Sequence, residues 1–276
     1  MSTRDEVVTG VTGSAAFGMM VFLGVGLARD TGPEPWLAGA LALGLILPTL
    51  ARSSDQMRPA TDMAGVAGAW RGGWRERTGA WGAITLGLFV PYLAIWLGLG
   101  LRYWALGLLV AGAALMRTYC AAMLYQQQKA VPRWSQTPTL VYMAIQTLCS
   151  GLLGLSAVEG LLGFPPGLVL WKAALALIGL SLIGHYWETQ AAEVPARDAP
   201  VRTDAFAEHA RPRARLLLQV SVGLGLALPM VLALIADGQT ERVLLPIAFA
   251  SHLAGVAAHR WLFLALATRA PSQPLQ

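Results

Sequence analysis

Residues 105–155 decide the fold: ALGLLVAGAALM (105–116), then LYQQQKAVPRWSQTPT (124–139), then LVYMAIQTLCSGLLGL (140–155). The outer runs are apolar. With their neighbours, each is long enough to cross roughly 30 Å of hydrocarbon, which takes about 20 residues of helix. The stretch between them carries three consecutive glutamines (126–128), Lys129, Arg133 and Trp134, and Pro132 and Pro138 stop either helix from running through it. A plain linker needs none of that chemistry. The stretch reads as a loop on one membrane face that docks a partner or contributes to a site.

Eight apolar segments, near 8–28, 35–51, 79–99, 101–124, 138–162, 166–187, 215–236 and 243–267, predict an all-α integral membrane protein built as a single domain. Short loops at 29–34, 100, 163–165 and 237–242 alternate with long polar loops at 52–78, 125–137 and 188–214, so both termini fall on the long-loop side. Composition agrees: 55 % of the 276 residues are hydrophobic and 13 % charged, where soluble domains carry about a quarter. Sixteen of the 20 basic residues lie on the long-loop side, and Arg29, Arg102 and Arg242 lie opposite. That asymmetry predicts long loops and termini in the cytoplasm, at the inner membrane of a bacterium. MSTRDEVVTG does not read as a cleavable signal peptide, because acidic residues precede the apolar run. Cys120 and Cys149 sit inside apolar runs with no Cys/His cluster around them, so this chain is expected to ligate no iron–sulfur cluster. The 188–214 loop, rich in Ala, Pro and charge, reads as a crossover without a core of its own.

Ionisable side chains inside a membrane are costly and mark function by default. Arg117 lies well past the middle of the fourth segment, and Arg260 lies at a comparable depth in the eighth, beside His259. Snorkelling to the headgroups is the plainer reading of each; lining a polar pocket near the cytoplasmic face is the sharper one. Glu159 and Lys172 sit near the opposite face and read as a structural pair. His252 and His259 are two helical turns apart and share a helix face. A b-type haem held by His185 and His259 is an alternative cofactor; bonding of these histidines to neighbouring helices is the plainer account. In the 52–78 loop, Trp70 and Trp74 suit the interface, while Arg58, Arg71, Arg75 and Arg77 call for an acidic partner or a redox-active headgroup.

YQQQKAVPRWSQTPT resembles the motif MIYA-x-x-K-T-V-P-R-W-…-T-P of the membrane anchor subunits of dimethyl sulfoxide reductase-type molybdopterin oxidoreductases. WRGGWRERTG is similar to that family's W-R-x-S-W-L-S-R-E, and SSDQMRP stands in the place of its H-L-G-R-P. ARPRARLLLQVSVGLGLALP resembles its basic entry to helix seven, and HRWLFLALATR its E-R-W-L-F-F-A-E-A. The matches run in order over residues 52–269.

The resemblance implies an eight-helix anchor that exchanges electrons with quinone (ubiquinone or menaquinone) for two partners. These are an iron–sulfur subunit with four cubane clusters and a molybdopterin catalytic subunit. It also implies a quinone pocket near the cytoplasmic ends of helices two, three, four and eight. Arg58, Trp70, Arg71, Trp74, Arg77, Arg117, Tyr125 and Arg260 are the expected binding residues there. Asp55 and His259 are expected to handle protons, and Lys129, Arg133, Trp134, Arg211 and Arg213 to dock the partner. Two departures stand out: Asp55 falls where the reductases have a histidine, and Thr78 where they have a glutamate, both tied to menaquinol binding. With a cytoplasmic docking face, the departures favour the sulfite dehydrogenase branch, which reduces quinone. A quinol-oxidising anchor and a purely structural anchor are the alternatives. A transporter lacks support: Pro91 and Pro229 interrupt helices three and seven, but no paired half-helices stand in matching positions.

Overall fold

A computed structural model describes residues 3–28, 33–56, 73–127, 137–163, 174–182, 184 and 216–267. Among the described residues there is no strand. The helices are α1 (Thr3–Val25), α2 (Glu34–Gln56), α3 (Trp74–Leu99), α4 (Trp104–Gln126), α5 (Thr137–Leu162), α6 (174–182), α7 (Leu216–Ile235) and α8 (Glu241–Ala267). Six of them, α1, α3, α4, α5, α7 and α8, are long and apolar enough to cross a membrane. The apolar part of α2 is shorter, Glu34–Leu50, and only 174–182 of the sixth expected segment is a described helix. Lys172, the expected partner of Glu159, lies outside the described residues, while Glu159 itself is buried.

The bundle is built around α1, which packs on α2, α4, α5 and α8. Its inward residues Phe17, Met19, Met20 and Leu23 are fully enclosed. Lipid tails are as apolar as leucine, so helices in a membrane gain by close approach rather than by hiding oily faces. Small residues permit that approach here. Gly18 of α1 meets Gly151 of α5, Gly24 meets Gly107 of α4, and Gly225 of α7 meets Gly255 of α8, each so closely that a Cβ would overlap the opposing backbone. Outward positions are large and apolar, among them Leu47, Leu109, Leu216 and Leu234, whereas Thr118, Gln146, Ser150 and His252 are buried. That inside-out polarity suits a lipid surround.

Two helices end on left-handed glycines that seat an arginine. α1 closes at Gly26 (φ 86°) with the Arg102 guanidinium against it, and α5 closes at Gly163 (φ 71°) against Arg242. Each cation faces the negative end of a helix dipole. Arg102 also lies over Trp96, 5.0 Å from the ring centroid. The Gly163→Ala change should cost about 1 kcal/mol for the backbone alone and more for displacing Arg242. Gly100→Ala, also left-handed (φ 66°) but in open space, should cost only the backbone part. Thermal unfolding in detergent, comparing the two variants, checks the order.

Prolines behave differently from expectation. Pro91 sits inside an unbroken α3, and Pro48 and Pro246 sit inside α2 and α8. α7 is helical throughout 216–235 but widens to a π-turn over Gly223–Ala227 just before Pro229. The Leu228 N–H bonds the Gly223 carbonyl, five residues back, so the Leu224 carbonyl loses its usual donor. Pro229 has no N–H to offer the Gly225 carbonyl. α8 supplies both missing donors: Ser251 Oγ to the Leu224 oxygen at 2.7 Å, and His252 Nδ1 to the Gly225 oxygen at 2.6 Å. The widened turn is thus held by its neighbour helix, as buried backbone polar groups require.

Candidate functional site

α1 brings together what the sequence keeps far apart. Gly10, Gly13 and Ser14 form a shallow notch on its surface, and two arginines from other helices lie in it. Arg260 of α8 rests against Gly10 and donates from Nη2 to Ser14 Oγ at 3.1 Å. Arg117 of α4 rests against Gly13, its guanidinium 4.2 Å from the centroid of the Phe17 ring. A cation over an aromatic face recovers about 0.5–2 kcal/mol, well short of full hydration. Thr49 of α2 closes the notch, its hydroxyl bonded to the Thr9 carbonyl at 3.2 Å.

Toward the ends of α4 and α8, Tyr125 donates to Glu6 Oε1 at 3.1 Å and packs edge-on against Phe263 at 5.3 Å. Neither arginine makes an ion pair among the described residues. Among the described residues, Arg260 Nε is buried without a hydrogen-bond partner, and Arg117, partly exposed, keeps only its ring contact and the notch. The arrangement is therefore a pair of neighbouring guanidiniums with donors to spare, opening inside an apolar bundle. Such donors take an oxygen acceptor.

A second polar region adjoins the first. One small cavity lies between α5, α6, α7 and α8, and another, between α5 and α8, lies beside it. Tyr142, Gln146 and His259 line both, so the two meet there. The first extends to Ser181, Ser221 and His252; the second reaches Thr139, Arg260 and Phe263. The rings of Tyr142 and His259 are 4.7 Å apart, and Gln146 Nε2 donates to the Tyr142 hydroxyl at 3.4 Å. As the spacing predicts, His252 and His259 share one face.

The other expected residues are dispersed. Trp74 and Arg77 stack on each other at 4.9 Å at the start of α3, with Trp74 edge-on to Tyr119 at 5.9 Å. That places them on a different face of α4 from Arg117. Thr78, at the family's glutamate position, turns its hydroxyl back to the Trp74 carbonyl at 2.7 Å. Asp55 lies in the last turn of α2, and its side chain is outside the description. Arg58, Trp70, Arg71, Lys129, Arg133, Trp134, His185, Arg211 and Arg213 lie outside the described residues. Among the described residues no group of three or more His, Cys, Asp or Glu side chains gathers to hold a metal.

Fold and site together define an all-helical chain with the character of a multi-pass membrane protein and a polar interior. Comparison with family models, curated proteins and solved structures gives no match for it.

Proposed function

We propose that this chain is the membrane anchor and quinone-reacting subunit of a three-subunit molybdopterin and iron–sulfur oxidoreductase. It passes electrons from a docked iron–sulfur subunit to the quinone pool, and the substrate oxidised by the catalytic partner is sulfite. In this reading the chain sits in the inner membrane of a bacterium with its docking loops in the cytoplasm. The ordered resemblance over residues 52–269 supports the assignment. One observation carries the quinone part: in the α1 notch the Arg117 guanidinium lies over the Phe17 ring and, among the described residues, Arg260 Nε is buried with no hydrogen-bond partner. A quinone oxygen gains negative charge on reduction, and fixed donors aimed at developing charge are the most effective aid a protein can give. Tyr125 and Glu6 close one side of the notch, and His259 stands on the other beside Arg260 as the proton donor.

The test is the assembled complex, purified from membranes. Quinone should co-purify with it, and a quinone analogue should inhibit sulfite-dependent quinone reduction. Full turnover through a soluble acceptor, with no bound quinone and no inhibition, would mean a purely structural anchor. Sustained quinol oxidation with reduction of a sulfoxide would assign the quinol-oxidising branch instead.

A further inference from the structure

We infer that Gly10 and Ser14 of α1 are positioning residues for quinone reduction: together they seat the Arg260 guanidinium so that its Nε donor is kept for a quinone oxygen. This rests on the quinone reading above. A count of one proton fixes the direction of the Ser14 bonds. Its hydroxyl lies 2.7 Å from the Gly10 carbonyl, which can only accept, so the Ser14 proton is spent there. Toward Arg260 the same oxygen can only accept, and Arg260 Nη2 donates to it at 3.1 Å. Ser14 is 3 % exposed, so water does not compete for either bond.

Gly10 supplies the room. Nη1, Cζ and Cδ of Arg260 lie where a side chain at this position would begin, and a Cβ there would overlap the guanidinium. The Ser14 bond alone would let the planar group swing about Nη2; lying against the bare backbone of Gly10 fixes its pose. In that pose, among the described residues, Nε is buried with no hydrogen-bond partner. A buried donor left unpaired costs free energy. The chain meets that cost when it folds, and an acceptor brought by a ligand recovers it.

A snorkelling arginine would do the opposite, extending its guanidinium to the water beyond the membrane face. Arg260 instead crosses from α8 to α1 and binds Ser14, about three turns in from the start of that helix at Thr3. Among the described residues it makes no ion pair, the usual support of a buried cation that serves only the fold. A quinone oxygen gains negative charge as it is reduced, and a bond from a seated guanidinium strengthens with that charge. The seat therefore acts on the rate of reduction more than on the affinity for quinone.

Two measurements test the seat on Gly10→Ala and Ser14→Ala. Alanine favours a helix over glycine, so α1 still forms in the first variant. In the purified full-length chain, modification by phenylglyoxal, an arginine reagent, is followed at each site by peptide mass. Both variants should speed modification of Arg260 several-fold, with exposed Arg4 as the unchanged internal standard. In the assembled complex, both should lower kcat for quinone reduction about tenfold relative to turnover with a soluble acceptor, with KM for quinone little changed. Parental kcat in both variants, or modification of Arg260 as slow as in the parent, overturns the proposal. If the unaltered complex reduces no quinone, the quinone reading fails instead, and the modification rates alone decide the seat.

Discussion

Replacing Arg117 with alanine should lower quinone-dependent turnover of the assembled complex by roughly 10- to 100-fold, with little loss of folded protein. A hydrogen bond from a charged donor contributes about 1.5–3 kcal/mol, and each 1.4 kcal/mol is tenfold. The stability cost is small because, among the described residues, Arg117 makes only a ring contact with Phe17 and rests on Gly13, and it holds no side chain by a hydrogen bond. Arg117→Lys should recover little, since an ammonium cannot reproduce the flat fork of donors. Arg77→Ala is the control. That side chain stacks on Trp74 at the start of α3, on another face, so its loss should leave quinone turnover within a few-fold. Steady-state rates with a soluble quinone, beside rates with a soluble acceptor, separate the two sites. Equal losses in both variants would move the quinone out of the α1 notch.

The largest structural effect should follow Gly18→Leu. A Cβ at this position already meets the Thr147 carbonyl and the Gly151 backbone, and the reciprocal position Gly151 meets Gly18 in the same way. Backbone cannot turn aside as a side chain can. Overpacking typically costs about 1–3 kcal/mol where side chains can shift, and here α1 and α5 must part along their whole contact. A membrane domain stable by about 5–15 kcal/mol has little margin for that. Little folded protein should be recovered from membranes, read by size-exclusion of a fluorescent fusion. Gly44→Leu on α2, with nothing within 4 Å of its Cβ, should behave as the parent.

Much of this architecture is legible along the chain. Runs such as 138–162 and 243–267 announce their helices by length and apolarity alone, and the described helices α5 and α8 fall on them. The pair Tyr142 and Gln146, spaced by four in an otherwise apolar helix, was also open to reading and marks the cavity wall. The notch was not. Glu6, Gly10, Ser14 and Phe17 look like an ordinary first helix, and their meaning depends on α4 and α8 crossing it, which no local pattern encodes. Arg117 and Arg260 stand out in sequence as charges in apolar runs, but their adjacency follows from tertiary packing 143 residues apart. Pro229 reads as an interruption, because sequence alone does not show a neighbouring helix ready to bond the carbonyls it frees.

The π-turn has an evolutionary reading as well. A turn of this kind is an α-helix carrying one surplus residue, so everything before it is rotated by about 100° relative to an uninterrupted helix. Removing a single residue from 223–227 would return α7 to α-helical register. It would also swing Ser221 off the cavity wall and return the Leu224 and Gly225 carbonyls to different partners. A one-residue length change at this place in a related chain thus marks whether that chain keeps a histidine-bonded turn or a plain helix.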